Sequence, residues 1–226
     1  MPTVLITGAA RGLGLAFTKQ YAEQGWKVLA CARKGDGLQG VKGDVRHHAL
    51  EVTDYKAVSS LAGKLGGEAI DVLVCNAGVG GERGSNAQDF GTLDPVVWRQ
   101  VFEVNALAPL MMAEAFAAHV ARSRQKKMIA ITSILGSIAL NNGGRYAYRA
   151  SKTALNMEWS CLAKDLASRG VICVALHPGW VQTDMGGSSA PLTIDQSVPA
   201  MVRTIEGLKP SDSGRYLQYD GAELSW

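Results

Sequence analysis

The sequence predicts an α/β fold: a mostly or fully parallel, doubly wound sheet of about seven strands, flanked by helices on both faces. Three observations lead there. Short β-branched and apolar runs recur along the chain and alternate with segments whose apolar residues fall at helical spacing. The first such run ends at Thr7, directly before a cluster of glycines. No Pro-, Gly- or Ser-rich linker divides the 226 residues, a length that supports one domain with a sizeable core.

Taken in order, Thr3-Val4-Leu5-Ile6-Thr7 has the length of a buried strand, and Leu13, Phe17 and Tyr21 then recur every fourth residue as on the buried face of a helix. Strands are expected at 27–31, 48–52, 71–75, 128–131, 171–176 and 216–219. The glycine-rich stretch 34–43 is too short for a full helix between the second and third. On the segment after Tyr148, Lys152, Leu155, Trp159, Leu162 and Leu166 form one continuous face, with a second apolar stripe of Ala150, Ala154, Met157 and Cys161.

Bulk properties narrow the function. A net charge of +3, scattered except for Arg122, Arg124, Lys126 and Lys127, argues against nucleic-acid binding. No apolar run approaches the ~20 residues of a membrane span, so no membrane contact is expected. Cys31, Cys75, Cys161 and Cys173 have no metal-ligand spacing, and three sit in apolar strand-like runs, so no metal is expected and a cytoplasmic location is.

Two features carry chemistry. Gly8-Ala9-Ala10-Arg11-Gly12-Leu13-Gly14 lies between a strand and a helix start, where glycines admit a phosphate and the first helical N–H groups stabilise it. Tyr148 and Lys152, four apart on a helix, share one face. A phenol ionises near pH ~10 in water, and a cation one turn away is expected to move that value toward neutrality.

The glycine spacing Gly8-x-x-x-Gly12-x-Gly14 resembles that of the short-chain dehydrogenase/reductase family, and further motifs follow in the family's order. These are Asn76-Ala77-Gly78 after the fourth strand, Asn105 in Val104-Asn105-Ala106, Ser133 after the fifth strand, Tyr148-x-Ala150-Ser151-Lys152, and Pro178-Gly179-Trp180-Val181-Gln182-Thr183 after the sixth. The short 34–43 stretch and brief C-terminal end look like the family's compact, C-factor-like branch. The resemblance implies a Rossmann-type dinucleotide-binding domain and an NAD(P)-dependent oxidoreductase acting on a carbonyl or alcohol. It implies a catalytic set of Asn105, Ser133, Tyr148 and Lys152. Tyr148 exchanges the proton, Lys152 assists it and bonds the nicotinamide ribose, Ser133 orients the carbonyl, and Asn105 holds a relay water.

The implied cofactor residues are Gly8, Arg11, Gly12, Leu13, Gly14, Arg33, Glu51, Val52, Asn76, Ala77, Gly78, Tyr148, Lys152, Pro178, Gly179, Val181 and Thr183. NAD-specific relatives place a carboxylate at the end of the second strand. Here Ala32 holds that position beside Arg33, whose guanidinium suits a 2′-phosphate, so NADP(H) is expected to be preferred with NAD(H) possible. Glu51 replaces an Asp that many relatives set against the adenine.

A lid is expected over 183–197, and Leu135, Asn141, Trp180 and Met185 are candidate pocket residues, with Arg145 near the entrance. A modest hydrophobic carbonyl compound or secondary alcohol is the expected substrate. Relatives dimerise through the Tyr148 helix, so a homodimer or homotetramer is expected. A second reading is an NADP(H)-binding sensor or signalling protein with little turnover. A sugar-nucleotide epimerase fits poorly, since those relatives need a larger C-terminal substrate domain.

Overall fold

The computed structural model describes residues 1–81 and 88–226. Among them, seven parallel strands form one sheet in the order β3-β2-β1-β4-β5-β6-β7. The strands are β1 (Thr3–Thr7), β2 (Lys27–Ala32), β3 (Val45–Ala49), β4 (Val72–Cys75), β5 (Lys127–Ile131), β6 (Ile172–His177) and β7 (Tyr216–Gln218). The helices are α1 (Gly12–Glu23), α2 (Tyr55–Leu65), α3 (Pro95–Phe102), α4 (Ala108–Ala121), α5 (Tyr146–Asp165) and α6 (Ile194–Gly207).

Each central strand is buried on both faces, which is why it reads as an unbroken apolar run. Alternate side chains supply separate cores. Leu5, Leu29, Leu73, Met128 and Cys173 join Met112 and Phe116 of α4 and Leu155 and Trp159 of α5 on one face. Val4, Val28, Val74, Ile129 and Val174 join Phe17 and Tyr21 of α1 and Met201 and Ile205 of α6 on the other. Burying a Phe or Leu here is worth roughly 1.5–3 kcal/mol. Tyr21 is fully buried against Trp26, its hydroxyl without a partner.

Three expectations need adjustment. The third strand is Val45–Ala49 rather than 48–52. It is an edge strand paired only with β2, so Arg46, His47 and His48 need no apolar character; the apolar Leu50 and Val52 are buried just beyond its end. The expected lid is loop only through Leu192. Thr193 caps α6 in a capping box with Gln196, so the last residues of 183–197 are helical. Finally, one helix, Pro95–Ala121, is by length and composition long and apolar enough to cross a membrane. Its Met112, Phe116 and Val120 lie in the core, which accounts for that composition.

That long helix runs from α3 into α4 through a π-helical segment, Glu103–Leu107. Beyond β7 the chain turns back: Leu217 bridges Glu223 in antiparallel fashion, and the Leu224 N–H donates to the Tyr216 carbonyl. Strand order changes direction between β1 and β4, and the crevice beyond the strand ends at such a reversal is where ligands bind in open α/β sheets.

Candidate active site

A cleft of about 1400 Å³ opens at that point. Its wall includes Gly8, Arg11, Gly12 and Leu13 from the β1–α1 turn and Arg33, Glu51 and Val52 from the far end. Asn76, Ala77 and Gly78 after β4, Tyr148 and Lys152 of α5, and Pro178 and Thr183 after β6 complete the predicted set that reaches it. Gly14, Gly179 and Val181 are set back from the wall, as are Asn105 and Ser133.

Gly14 has a packing reason: a Cβ there would lie 2.1 Å from the Gly8 carbonyl oxygen, so the turn closes onto the helix only without one. Asn76 knits β4 to β1. The Asn76 and Ala77 N–H groups donate to Thr7 Oγ1 at 3.0 Å, and Asn76 Nδ2 donates to the Thr7 carbonyl at 2.9 Å. Val181 pairs with Leu192, closing the loop after β6, and Trp180 Nε1 donates to the Gly186 carbonyl across it.

At the outer end of the cleft Arg33 faces Glu51 at 3.6 Å, both side chains substantially exposed. Arg11 lies 3.8 Å from Asp184 at the mouth. Both are weak exposed pairs that an incoming phosphate can displace.

The predicted tetrad converges. Lys152 is buried, and its Nζ donates to the Ile131 carbonyl at 2.9 Å, tying α5 to the end of β5. Burial pushes its pKa down to about 8. Asn105, wholly buried in the π-helical segment, accepts from the Val79 N–H at 2.8 Å and donates to the Val79 carbonyl at 2.8 Å and to Ser151 Oγ at 3.1 Å. Ser151 Oγ in turn donates to the Tyr148 carbonyl at 2.8 Å. Ser133 Oγ accepts the Leu135 N–H at 3.2 Å, which leaves its proton available to donate.

Tyr148 behaves differently from expectation. Burial raises its pKa, and the groups that oppose the rise are Ser133 and the Arg145 guanidinium, 4.6 Å from the ring centre. Lys152 Nζ is 5.9 Å from that centre. The expected lowering by the lysine is therefore not what the geometry gives; the phenol keeps its proton at neutral pH.

Sequence reasoning missed the groups that hold the start of α5. Arg145, at φ 48°, offers the helix no side-chain cap. Segment 88–89 supplies the partners: Arg145 N–H donates to Asp89 Oδ1 at 3.0 Å, Tyr146 N–H to the Gln88 carbonyl at 2.9 Å, and Tyr148 N–H to Gln88 Oε1 at 2.9 Å. Gln88 Nε2 reaches the Gly80 carbonyl at 2.7 Å. These partners lie about 60 residues away in the chain, and no local pattern announces them.

A family model described as short chain dehydrogenase matches residues 2–191. The chain belongs to the short-chain dehydrogenase family. It is 43% identical over 158 residues to the C-signal protein of Myxococcus xanthus, covering 70% of this chain and 93% of that one. Among solved structures, the carbonyl reductase Sniffer of D. melanogaster superimposes with a TM-score of 0.89 at 31% identity, covering 100% of both chains. An NADPH-bound carbonyl reductase from chicken fatty liver gives 0.88 at 31%, covering 100% of this chain and 99% of that one. Membership makes the chain one of a family of oxidoreductases.

The buried lysine has a cost that pH reveals. Its folded pKa of about 8 lies below the unfolded value near ~10.4, so the folded chain gains stability as pH rises through that window. Lys152→Met is expected to raise stability at neutral pH by about 1–2 kcal/mol in urea unfolding, a gain that shrinks toward pH ~10. A gain independent of pH would refute the assignment.

Proposed function

We propose that the chain is an NADP(H)-dependent carbonyl reductase, interconverting a small carbonyl compound and its alcohol, with NAD(H) accepted less well. The observation that carries this reading is a protonated, buried Tyr148 at the cleft wall with Lys152 one turn behind it and Ser133 facing it. The cleft suits a dinucleotide: a glycine turn that brings backbone N–H groups to a helix start lies at its centre, and Arg33 marks its outer end. The carbonyl reductase likeness and the NADPH in one neighbour point the same way.

NADPH, when bound, supplies a hydride to the carbonyl carbon. Tyr148 then donates its phenolic proton to the carbonyl oxygen, and the Ser133 hydroxyl, already accepting the Leu135 N–H, donates its own hydrogen to hold that oxygen. The phenolate left on Tyr148 is met by the Arg145 cation on one side and by Lys152, which returns a proton. Asn105 and Lys152 flank Gly78, where a Cβ would lie 3.3 Å from Asn105 Oδ1 and 3.8 Å from Lys152 Nζ, and the proton relay to solvent is proposed to run past them. Of the cleft residues, Thr183 and Asn76 would hold the nicotinamide end of the cofactor, and Arg33, Glu51 and Val52 the adenosine end. Among the described residues no cluster of His, Cys, Asp or Glu is arranged to hold a metal ion.

Met157 and Cys161 of α5 are exposed beside half-buried Ala150 and Ala154, the stripe proposed to join subunits in a homodimer or homotetramer. A monomeric mass in light scattering at micromolar concentration would exclude it. The free cysteines, three of them buried, fit a cytoplasmic location. The C-signal relative supports a second reading, an NADP(H)-binding sensor with little turnover. NADPH binding without oxidation across a broad carbonyl panel would favour that reading.

Tyr148→Phe is expected to lower kcat by ~100- to 10,000-fold in an NADPH absorbance assay, with NADPH affinity kept; near-normal turnover would end the reading. Because Glu51 competes for Arg33, Glu51→Gln is expected to widen the NADPH-over-NADH preference in Kd, and Arg33→Ala to narrow it. Tighter NADH binding by the unmodified protein would defeat the cofactor assignment.

A further inference from the structure

Ser133 must present its hydroxyl to the Tyr148 phenol, yet it sits in a turn just past a strand, where a backbone has freedom to drift. Two elements remove that freedom. On one side the turn Ile134–Gly136 lies flat against α5: a Cβ on Gly136 would come within 2.9 Å of the Lys152 backbone carbonyl, and the Gly136 oxygen accepts from Thr153 Oγ1 at 3.0 Å and Asn156 Nδ2 at 3.3 Å. On the other side stands Tyr216 of β7. Its ring is fully buried, and its hydroxyl donates to the Ser133 carbonyl at 2.6 Å.

That carbonyl also accepts the Gly136 N–H at 2.8 Å, so both of its lone-pair directions are used. Tyr216 is itself clamped by the chain that folds back over β7. Trp226 stacks on its ring with centres 5.2 Å apart, and the Trp226 carbonyl accepts the Ala139 N–H at 2.9 Å, from the same loop that follows Ser133.

We propose that Tyr216 is a positioning residue, whose hydroxyl fixes the Ser133 backbone so that the serine side chain meets Tyr148 and the substrate carbonyl in register. The proposal rests on the proton-transfer reading above. Its physical basis is that a hydrogen-bonding group displaced by a fraction of an ångström loses much of its transition-state benefit while ground-state binding, spread over many contacts, barely changes. Tyr216 is not part of the cleft wall; it acts through Ser133.

The test is Tyr216→Phe, which keeps the ring, its packing and its stack on Trp226 and deletes only the hydroxyl. The probe is NADPH oxidation with para-nitrobenzaldehyde. The expected result is a ~5- to 20-fold lower kcat, with aldehyde KM and NADPH Kd within about twofold. The melting temperature should fall by no more than about 2–4 °C, because the Ser133 carbonyl keeps its Gly136 partner. Tyr21→Phe removes a buried, partnerless hydroxyl far from the cleft and should leave kcat within about twofold.

A Ser133→Ala, Tyr216→Phe double variant should be no slower than Ser133→Ala alone, since the tyrosine has nothing left to aim. Unchanged kcat in Tyr216→Phe, or losses that multiply in the double variant, overturn the proposal. Tyr148→Phe measured alongside separates the two ideas. Full activity there removes the proton-transfer reading itself, whereas an inactive Tyr148→Phe with an unimpaired Tyr216→Phe removes only the positioning role.

Discussion

An ammonium buried at the end of a β-strand costs free energy, and in this fold the Ile131 carbonyl offsets part of that cost. That bond ties α5 to β5. It places Lys152 and, one turn earlier, Tyr148 at the crevice where the sheet reverses its strand order. Around it the same helix bonds the turn that carries Ser133, through Thr153 and Asn156, and receives Asn105 through Ser151. The four groups of the proposed tetrad come from three separate stretches of chain, one of them α5 itself. The other two are registered against α5, so a shift of the helix would move all of them together.

The arrangement also resolves an apparent conflict. A lysine was expected to acidify its neighbouring tyrosine, yet burial raises the phenol and drives the lysine down to about 8. For a group that must donate a proton to a carbonyl oxygen, a phenol that stays protonated at neutral pH is the useful ground state. In the proposed reduction the cationic help is needed once the proton has left. Arg145 then lies over the ring, held there from a left-handed backbone position by Asp89. A non-glycine residue in that conformation costs on the order of 1–2 kcal/mol, a strain of the kind that gathers at functional sites.

How much of this was legible beforehand follows from which contacts are local. The glycine turn, the buried strands and the Tyr148–Lys152 spacing are written within short windows, and the structure places them as read. The seating of α5 by Gln88 and Asp89 and the grip of Tyr216 on Ser133 join residues 56 to 83 positions apart, so no periodicity could reveal them. The third strand was misplaced because an edge strand facing solvent has no apolar signature, while Leu50 and Val52 just beyond it do. The π-helical segment at Asn105 was invisible because its residues have ordinary helix-forming composition.

The folding back of the chain over β7 matters beyond the Ser133 clamp. A parallel sheet ends in two bare rows of N–H and C=O groups, and such rows recruit strands from other molecules. Here one border is shielded by the chain's own antiparallel return at Leu217 and Glu223, and the other carries Arg46, His47 and His48. Growth of the sheet by strand addition from another molecule is thereby discouraged at both borders.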